Sequence, residues 1–310
     1  MKVFVAGASG AIGRPLVRQL VAAGHKVTGT TRREERAEEI RAAGANAVVC
    51  DALDDAALRE AVAEAAPEAV VHQLTALPHE LALKGDFLES TNRLRTEGTR
   101  NLLDAARAAG ARRYLSHSVA FFYAPEGDWV KDEEAPLLED APGPFGGATR
   151  AIGAMERQVT TAEDIEGIVL RYGWFYGPGT HFAADGWQAK EARRRRLPVV
   201  GKGTGTYSFI HVEDAASATV AAVERGAPGI YNVADDEPAP MREWVPLYAE
   251  AVGAKKPMRA PVWVATLVAG SAAGMMTTQL RGASNAKARR ELGWAPRYSS
   301  WRQGFREALG

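Results

Sequence analysis

Short apolar runs alternate with amphipathic stretches through the first half of the chain. Residues 3–6 are continuously apolar and end at a glycine, and residues 27–31 are rich in β-branched side chains. Residues 47–50, 69–74, 113–116 and 168–171 repeat the theme and read as further short buried strands. Between the first two runs, Leu16, Val17, Leu20 and Val21 fall on one helical face, with Pro15 in the first turn and Gly24 at the stop. Comparable helical patterns occupy residues 33–43, 56–65, 96–109 and 148–161. Strands that alternate with helices predict a parallel sheet covered on both faces, and right-handed crossovers make it a doubly wound α/β fold. After Gly177-Pro178-Gly179 the alternation loosens. Strands are expected at 207–212 and 230–233 and a helix at 213–225, followed by mostly helical sequence with proline breaks. The pattern predicts one unit built from residues 1–172 and 206–236. A second, smaller and mostly helical unit is predicted from 173–205 and 237–310.

Composition narrows the picture. The chain has 310 residues, 46% of them hydrophobic and 25% charged, which is ordinary soluble-globular usage. Lys and Arg number 38 against 38 Asp and Glu, so no bulk charge holds it to nucleic acid. Arg193 to Arg196 is the one basic run, and it suits the end of a helix. The single Cys50 excludes an internal disulfide and a multi-cysteine metal site, which fits a reducing, cytoplasmic setting. No His/Asp/Glu cluster has metal-ligand spacing. The apolar run that opens the chain is too short for a signal peptide. Residues 260–280 carry no charge, yet their Gly, Ser, Thr and Gln content suits a buried helix or pocket wall better than a membrane span. The same stretch also suits an interface between two copies.

Gly7-Ala8-Ser9-Gly10-Ala11-Ile12-Gly13 stands between the first strand and the first helix. A turn there that bares backbone N–H groups at a helix N-terminus is a pyrophosphate cradle. The G-x-x-G-x-x-G spacing resembles the short-chain dehydrogenase/reductase superfamily, in particular its extended epimerase/dehydratase branch. The resemblance covers nearly the whole chain. Gly98-Thr99, Leu170-Arg171-Tyr172, Tyr176-Gly177-Pro178-Gly179, His211-Val212-Glu213-Asp214 and Glu291-Leu292-Gly293-Trp294 match later landmarks of that branch. It implies a Rossmann sheet binding a nicotinamide dinucleotide through Gly7, Ser9, Gly10, Ala11, Ile12 and Gly13. Asp51 and Ala52 would meet the adenine, and Leu74, Thr75 and Ala76 would run beneath the dinucleotide. The second strand ends Thr30-Thr31-Arg32-Arg33, with no carboxylate before Glu34. Thr31, Arg32 and Arg33 suit a 2′-phosphate, so NADP(H) is favoured over NAD(H).

Redox members of the superfamily carry Tyr-x-x-x-Lys on the helix after the fifth strand, where lysine lowers the tyrosine pKa and tyrosine exchanges a proton with substrate. Aligned on Pro144, those positions hold Phe145 and Thr149; aligned on Glu156, they hold Ala148 and Ile152. No tyrosine falls between Tyr123 and Tyr172 and no lysine between Lys131 and Lys190. Ser118 matches the hydroxyl position at the fifth strand's end, and Arg95 stands where relatives often have a structural asparagine. The chain is therefore expected to be an atypical member that moves hydride to or from a small carbonyl, enone or quinone-like substrate. Ser118 would hold the substrate oxygen, with Tyr123 or Tyr176 as a non-standard proton donor. Tyr172, Trp174 and Phe175, with His79 and His117, would line the site, and the aromatic run favours an apolar or planar small molecule. The alternative is a dinucleotide-binding protein without net redox turnover, either a redox-neutral lyase or epimerase or a sensor.

Overall fold

The computed structural model describes residues 1–78, 80, 88–141 and 143–309. Its central sheet has seven strands: β1 Lys2–Ala6, β2 Lys26–Thr31, β3 Asn46–Val49, β4 Ala69–His72, β5 Arg113–Val119, β6 Glu166–Tyr172 and β7 Gly229–Val233. Their order is β7-β6-β5-β4-β1-β2-β3, and every neighbouring pair is parallel. The direction of winding reverses between β1 and β4, which opens a crevice at the carboxyl ends of those strands. This is the predicted doubly wound Rossmann sheet.

Strand alternation decides what each face buries. Val3 and Val5 of β1 point into a core with Leu16, Val17, Leu20 and Ala215 from helices Gly13–Ala22 and Val212–Arg225. Phe4 and Ala6 point into the opposite core with Leu58, Val62, Leu102 and Met155. Those four come from helices Asp55–Ala65, Thr99–Ala108 and Gly143–Thr160. Both faces are apolar, which is why the strands read as unbroken hydrophobic runs. Each fully buried Leu, Val or Phe contributes about 1.5–3 kcal/mol relative to exposure.

The helix leading out of β4 begins earlier than its periodicity predicts. It runs Glu89–Arg93, passes through a π-turn at Leu94–Gly98 and continues as Thr99–Ala108. The π-turn inserts a residue, so the 3.6-residue pattern is legible only beyond it. The later part of the chain builds a separate apolar cluster around Phe182, Phe209, Trp244, Tyr248, Trp301 and Phe305. A small parallel pairing of Trp174–Tyr176 with Phe209–His211 connects that cluster to the end of β6.

The uncharged stretch forms the helix Val262–Thr278, against the expectation of a buried helix. Trp263 and Leu267 are 68% and 78% exposed. Its ends are tied down instead, through Gly201 N–H to Ala260 O and Thr204 Oγ1 to Thr278 O. Among the described residues no helix is long and apolar enough to cross a membrane.

Asp235 follows β7 and is 1% exposed. Its Oδ1 accepts from Glu237 N–H, while Oδ2 is buried without a partner among the described residues. Burial therefore pushes its pKa up. The folded chain holds the proton above the pH at which the unfolded chain releases it, so stability from this group falls as pH rises through the interval. Asp235→Asn is expected to raise the melting temperature at pH 7 and to lose that advantage below about pH 4, near the ordinary carboxylate pKa. A melting-temperature series from pH 3.5 to 8 checks this, and equal stability of both proteins throughout would refute it.

Candidate active site

The glycine loop is built for a phosphate. Gly7 has φ +89°, and a Cβ there would sit 2.9 Å from Gln73 O. A Cβ on Gly13 would collide with the Gly7 and Ala8 backbone, so only glycine lets the helix start this close to β1. Gly10 N–H closes the turn onto Gly7 O at 3.1 Å, and Gly7 N–H donates to Thr30 Oγ1 at 3.3 Å. Among the described residues the chain leaves the amides of Ala11, Ile12 and Gly13 unclaimed. Three free donors at a helix N-terminus are what a pyrophosphate requires. The donor set thus fits a dinucleotide.

The end of β2 continues the cradle. Ser9 Oγ donates to Thr31 Oγ1 at 3.1 Å, and Arg36 Nη1 donates to Ser9 O at 3.1 Å. An open cleft of about 650 Å³ is lined by Arg32, Arg33 and Arg36 together with Glu34, Glu35 and Glu39. Arg36 was missed from sequence. It stands in the first turn of the helix Glu34–Ala42, and a third arginine within four residues of Arg32 was the signal that could have found it. Asp51 Oδ1 caps Leu53 N–H, and Ala52 O accepts from Asn101 Nδ2. Past β4, Leu74 N–H donates to His72 Nδ1 and Ala76 N–H to Thr91 Oγ1, while Thr75 is exposed.

The expected catalytic residues have other occupations. Ser118 Oγ donates to Glu156 Oε1 at 2.6 Å. The Tyr123 hydroxyl donates to Asn232 Oδ1 at 2.5 Å and accepts from Arg171 Nη1 at 3.1 Å, and burial pushes its pKa up to about 12. Arg171 grips Glu156 through two nitrogens, at 2.8 and 2.6 Å, and reaches Glu133 O with a third. Ser118 and Tyr123 are thereby brought into one buried polar network. Tyr176 is elsewhere, fully buried with its hydroxyl against Gly304 and its ring on Phe305. Burial and then Asp235 push its pKa up.

The strand end faces apolar groups instead. Val119, Phe122, Phe145, Ala148, Ile152 and Leu88 form one cluster. Thr149 is buried and spends its hydroxyl on Phe145 O. Beside the cluster, Phe121 stacks on Trp174 at 4.1 Å between centroids and 19° between planes. His117 packs edge-on against Tyr172 and Phe175, at 5.0 and 5.5 Å. Burial, then Arg95 and His72, lower its pKa to about 3. The Tyr172 hydroxyl accepts from Gln73 Nε2 and is hydrogen-bonded to Thr219 Oγ1. Of the expected wall, His117, Tyr172 and Phe175 pack together, whereas Trp174 points the other way, to Phe121, Phe182 and Tyr207; His79 lies outside the described residues.

The chain matches the NAD dependent epimerase/dehydratase family over residues 3–234. It is 48% identical to a 3-diazoavenalumate denitrifying reductase from a Streptomyces species, covering 98% of this chain and 99% of that one. It is 30% identical to a 2-alkyl-3-oxoalkanoate reductase from Stenotrophomonas maltophilia, covering 83% and 77% of the two chains. A UDP-glucose 4-epimerase from Thermus thermophilus, solved in complex with NAD, superposes with a TM-score of 0.73 over 100% of this chain and 98% of its own, at 24% identity.

The Arg171–Glu156 pair is 5% and 6% exposed by side chain. Removing one partner of such a pair leaves a charge buried alone. Glu156→Gln is expected to cost about 3–5 kcal/mol in urea unfolding, and the double variant with Arg171→Met to cost less than the single one. A single-variant loss under about 1 kcal/mol would place the pair among inconsequential surface-type bridges.

Proposed function

The chain belongs to the NAD dependent epimerase/dehydratase family, and from that premise we propose an NADP(H)-dependent reductase whose hydride acceptor needs no tyrosine–lysine relay. Its relatives include named reductases, and it is an NAD(P)-dependent oxidoreductase or epimerase-like enzyme. The observation that carries the proposal is the apolar cluster of Val119, Phe145, Ala148 and Ile152 at the end of β5, on a helix with neither tyrosine nor lysine. Both alignments of the expected pair fall on this cluster or on buried Thr149.

Carbonyl reduction leaves an alkoxide that must be protonated, and a Tyr–Lys pair answers that need. An arene diazonium leaves none. A new C–H bond forms with the hydride pair, the C–N bond breaks, and N₂ departs with the electrons of that bond. The positive charge of the diazonium is cancelled by the hydride, so no proton is required. The 48% identical relative is named for a diazo substrate and a denitrifying reduction, which supports placing this chain in the same class. A quinone-like acceptor is the neighbouring case, because solvent can protonate a stabilised hydroquinone oxygen.

When bound, the reduced dinucleotide supplies the hydride. The amides of Ala11, Ile12 and Gly13 would hold its pyrophosphate, and Thr31, Arg32, Arg33 and Arg36 its 2′-phosphate. Asp51, Ala52, Leu74, Thr75 and Ala76 would flank the adenine half and the linker. The stacked, part-exposed Phe121 and Trp174 would present a flat apolar surface to a planar substrate, and the segments 173–205 and 237–310 would complete its enclosure. In this reading Ser118 and Tyr123 hold β5, β6 and the Gly143–Thr160 helix in register.

The test is NADPH consumption with three substrates: a hydroxybenzenediazonium salt, a benzoquinone and a 3-oxoalkanoate. The diazonium is expected to consume NADPH one-for-one with N₂ release, and deuterium from C4-labelled NADPH to enter the ring. Turnover of the oxoalkanoate alone would overturn the proposal, and oxidation of NADPH by none of the three would favour a role without redox turnover. Arg32→Ala with Arg36→Ala is expected to weaken NADPH binding at least about tenfold and NADH binding little, since charge-assisted phosphate contacts are lost. Equal weakening of both would remove the 2′-phosphate assignment.

A further inference from the structure

Arg95 is a buried cation with no ion pair among the described residues. It sits in the π-turn Leu94–Gly98, is 8% exposed, and has Asn92 Oδ1 at 3.2 Å as its hydrogen-bond partner among the described residues. π-turns inside helices recur at functional sites. This one is held to the sheet's carboxyl edge, because His72, the last residue of β4, donates Nε2–H to Leu94 O at 3.3 Å. On its other side stands the helix Gly143–Thr160. Gln158 reaches Thr96 O, and a Cβ on Gly147 would lie 4.0 Å from Asn92 Nδ2. Arg95 is therefore beside the apolar cluster that replaces the proton relay.

Among the described residues the surrounding carboxylates are committed elsewhere. Glu97 pairs with Arg93, and Glu156 is committed to Arg171 and Ser118. His72 is lowered to about 4 by burial, and His117 to about 3. Both are neutral near pH 7 and supply no anion. His117 lies on the strand face opposite Ser116 and Ser118, yet Arg95 contributes to the lowering of both histidines. With Leu94 O bonded to His72, the neighbouring Arg95 is held near the carboxyl end of β4. The Nδ1 of His117 and the Nε1 of Trp174 are also buried without partners among the described residues. Arg95 is lowered only to about 10 by burial, so it keeps its proton at neutral pH.

We propose that Arg95 is the receptor for an anionic oxygen, carboxylate or phenolate, on the planar aromatic substrate of the proposed reaction. The guanidinium gains a charge-assisted hydrogen bond that the described residues do not give it, and an uncharged analogue does not supply one. That asymmetry makes the residue a selector for acid anions. The inference rests on the aromatic-substrate reading above, but it concerns binding and stands apart from turnover.

The experiment is isothermal titration of the NADP⁺-saturated protein with 4-hydroxycinnamate, its methyl ester and 4-methoxycinnamate. Wild type is expected to bind 4-hydroxycinnamate at least about tenfold more tightly than one of the two blocked analogues, since a charged hydrogen bond is lost with the block. The ester identifies a carboxylate contact and the methoxy compound a phenolate one. Arg95→Met is expected to abolish the difference while leaving NADP⁺ affinity within about twofold, and Arg95→Lys to keep part of it. No difference among the probes in wild type overturns the proposal without any variant. So does a difference that survives in Arg95→Met, or an equal loss of NADP⁺ and all three probes in that variant. A protein that binds the acids selectively but reduces no diazonium would refute the proposed reaction and leave the Arg95 assignment standing.

Discussion

The buried pair between Arg171 and Glu156 is the constraint on which the site's architecture depends. Arg171 is on β6, one residue before the aromatic wall begins, and Glu156 is on the helix that packs across β5. Two short hydrogen bonds fix strand to helix, Ser118 adds β5, and Tyr123 with Glu133 adds the loop that follows it. Asn232 of β7 closes the network through Tyr123 and through its own N–H to Glu133. An ion pair in low dielectric is weak evidence for net stability, because its desolvation offsets its attraction. Its directional value is greater. A charge that can be satisfied in only one arrangement penalises every slip of the helix along the sheet.

That commitment explains why the polar residues nearest the strand end are not free for chemistry. Ser118 cannot donate to a ligand while donating to Glu156 at 2.6 Å, and the Tyr123 proton is similarly engaged with Asn232. Beside them pack the apolar cluster of Val119, Phe145, Ala148 and Ile152 and the stacked pair of Phe121 and Trp174. A site with that lining is poor at delivering protons and good at excluding water around a flat, electron-poor ring. The proposed acceptor class follows from this lining as much as from the missing tyrosine and lysine.

The sheet and the glycine loop were legible because their signals are local. A buried parallel strand must be apolar on both faces, and a turn at φ +89° between strand and helix asks for the glycine found at position 7. Side-chain direction at the strand end was not legible in the same way. Assigning Ser118 to the substrate required knowing which face of β5 it occupies, and that is set by the register of β5 against β6, with Ser118 opposite Arg171. Tyr176 failed to join the other two candidates for a related reason, since its strand pairs with Phe209–His211 and turns its hydroxyl to Gly304. The exposed face of the Val262–Thr278 helix was hidden by an uncharged composition that elsewhere signals burial. Arg95 was visible as an oddity, but its meaning depends on the π-turn and on its lack of an ion pair among the described residues, neither of which a linear pattern records.

The position of Arg95 also bears on reactivity in the proposed class. A ring that carries both an oxygen anion and a diazo group is a hybrid of two forms, one with charge on oxygen and one with it delocalised toward nitrogen. A guanidinium hydrogen-bonded to the oxygen favours the form with charge on oxygen, which leaves the diazo carbon more electron-poor. The same contact that recognises a phenolate would then make the ring a better hydride acceptor. A carbonyl reductase places its charged group to stabilise an oxyanion that forms during the reaction. In the proposed substrate the oxyanion is present from the start, and a fixed buried arginine is suited to it because nothing need move or titrate as the C–H bond forms. Loss of the relay and gain of a buried cation are on this argument two sides of one change in substrate.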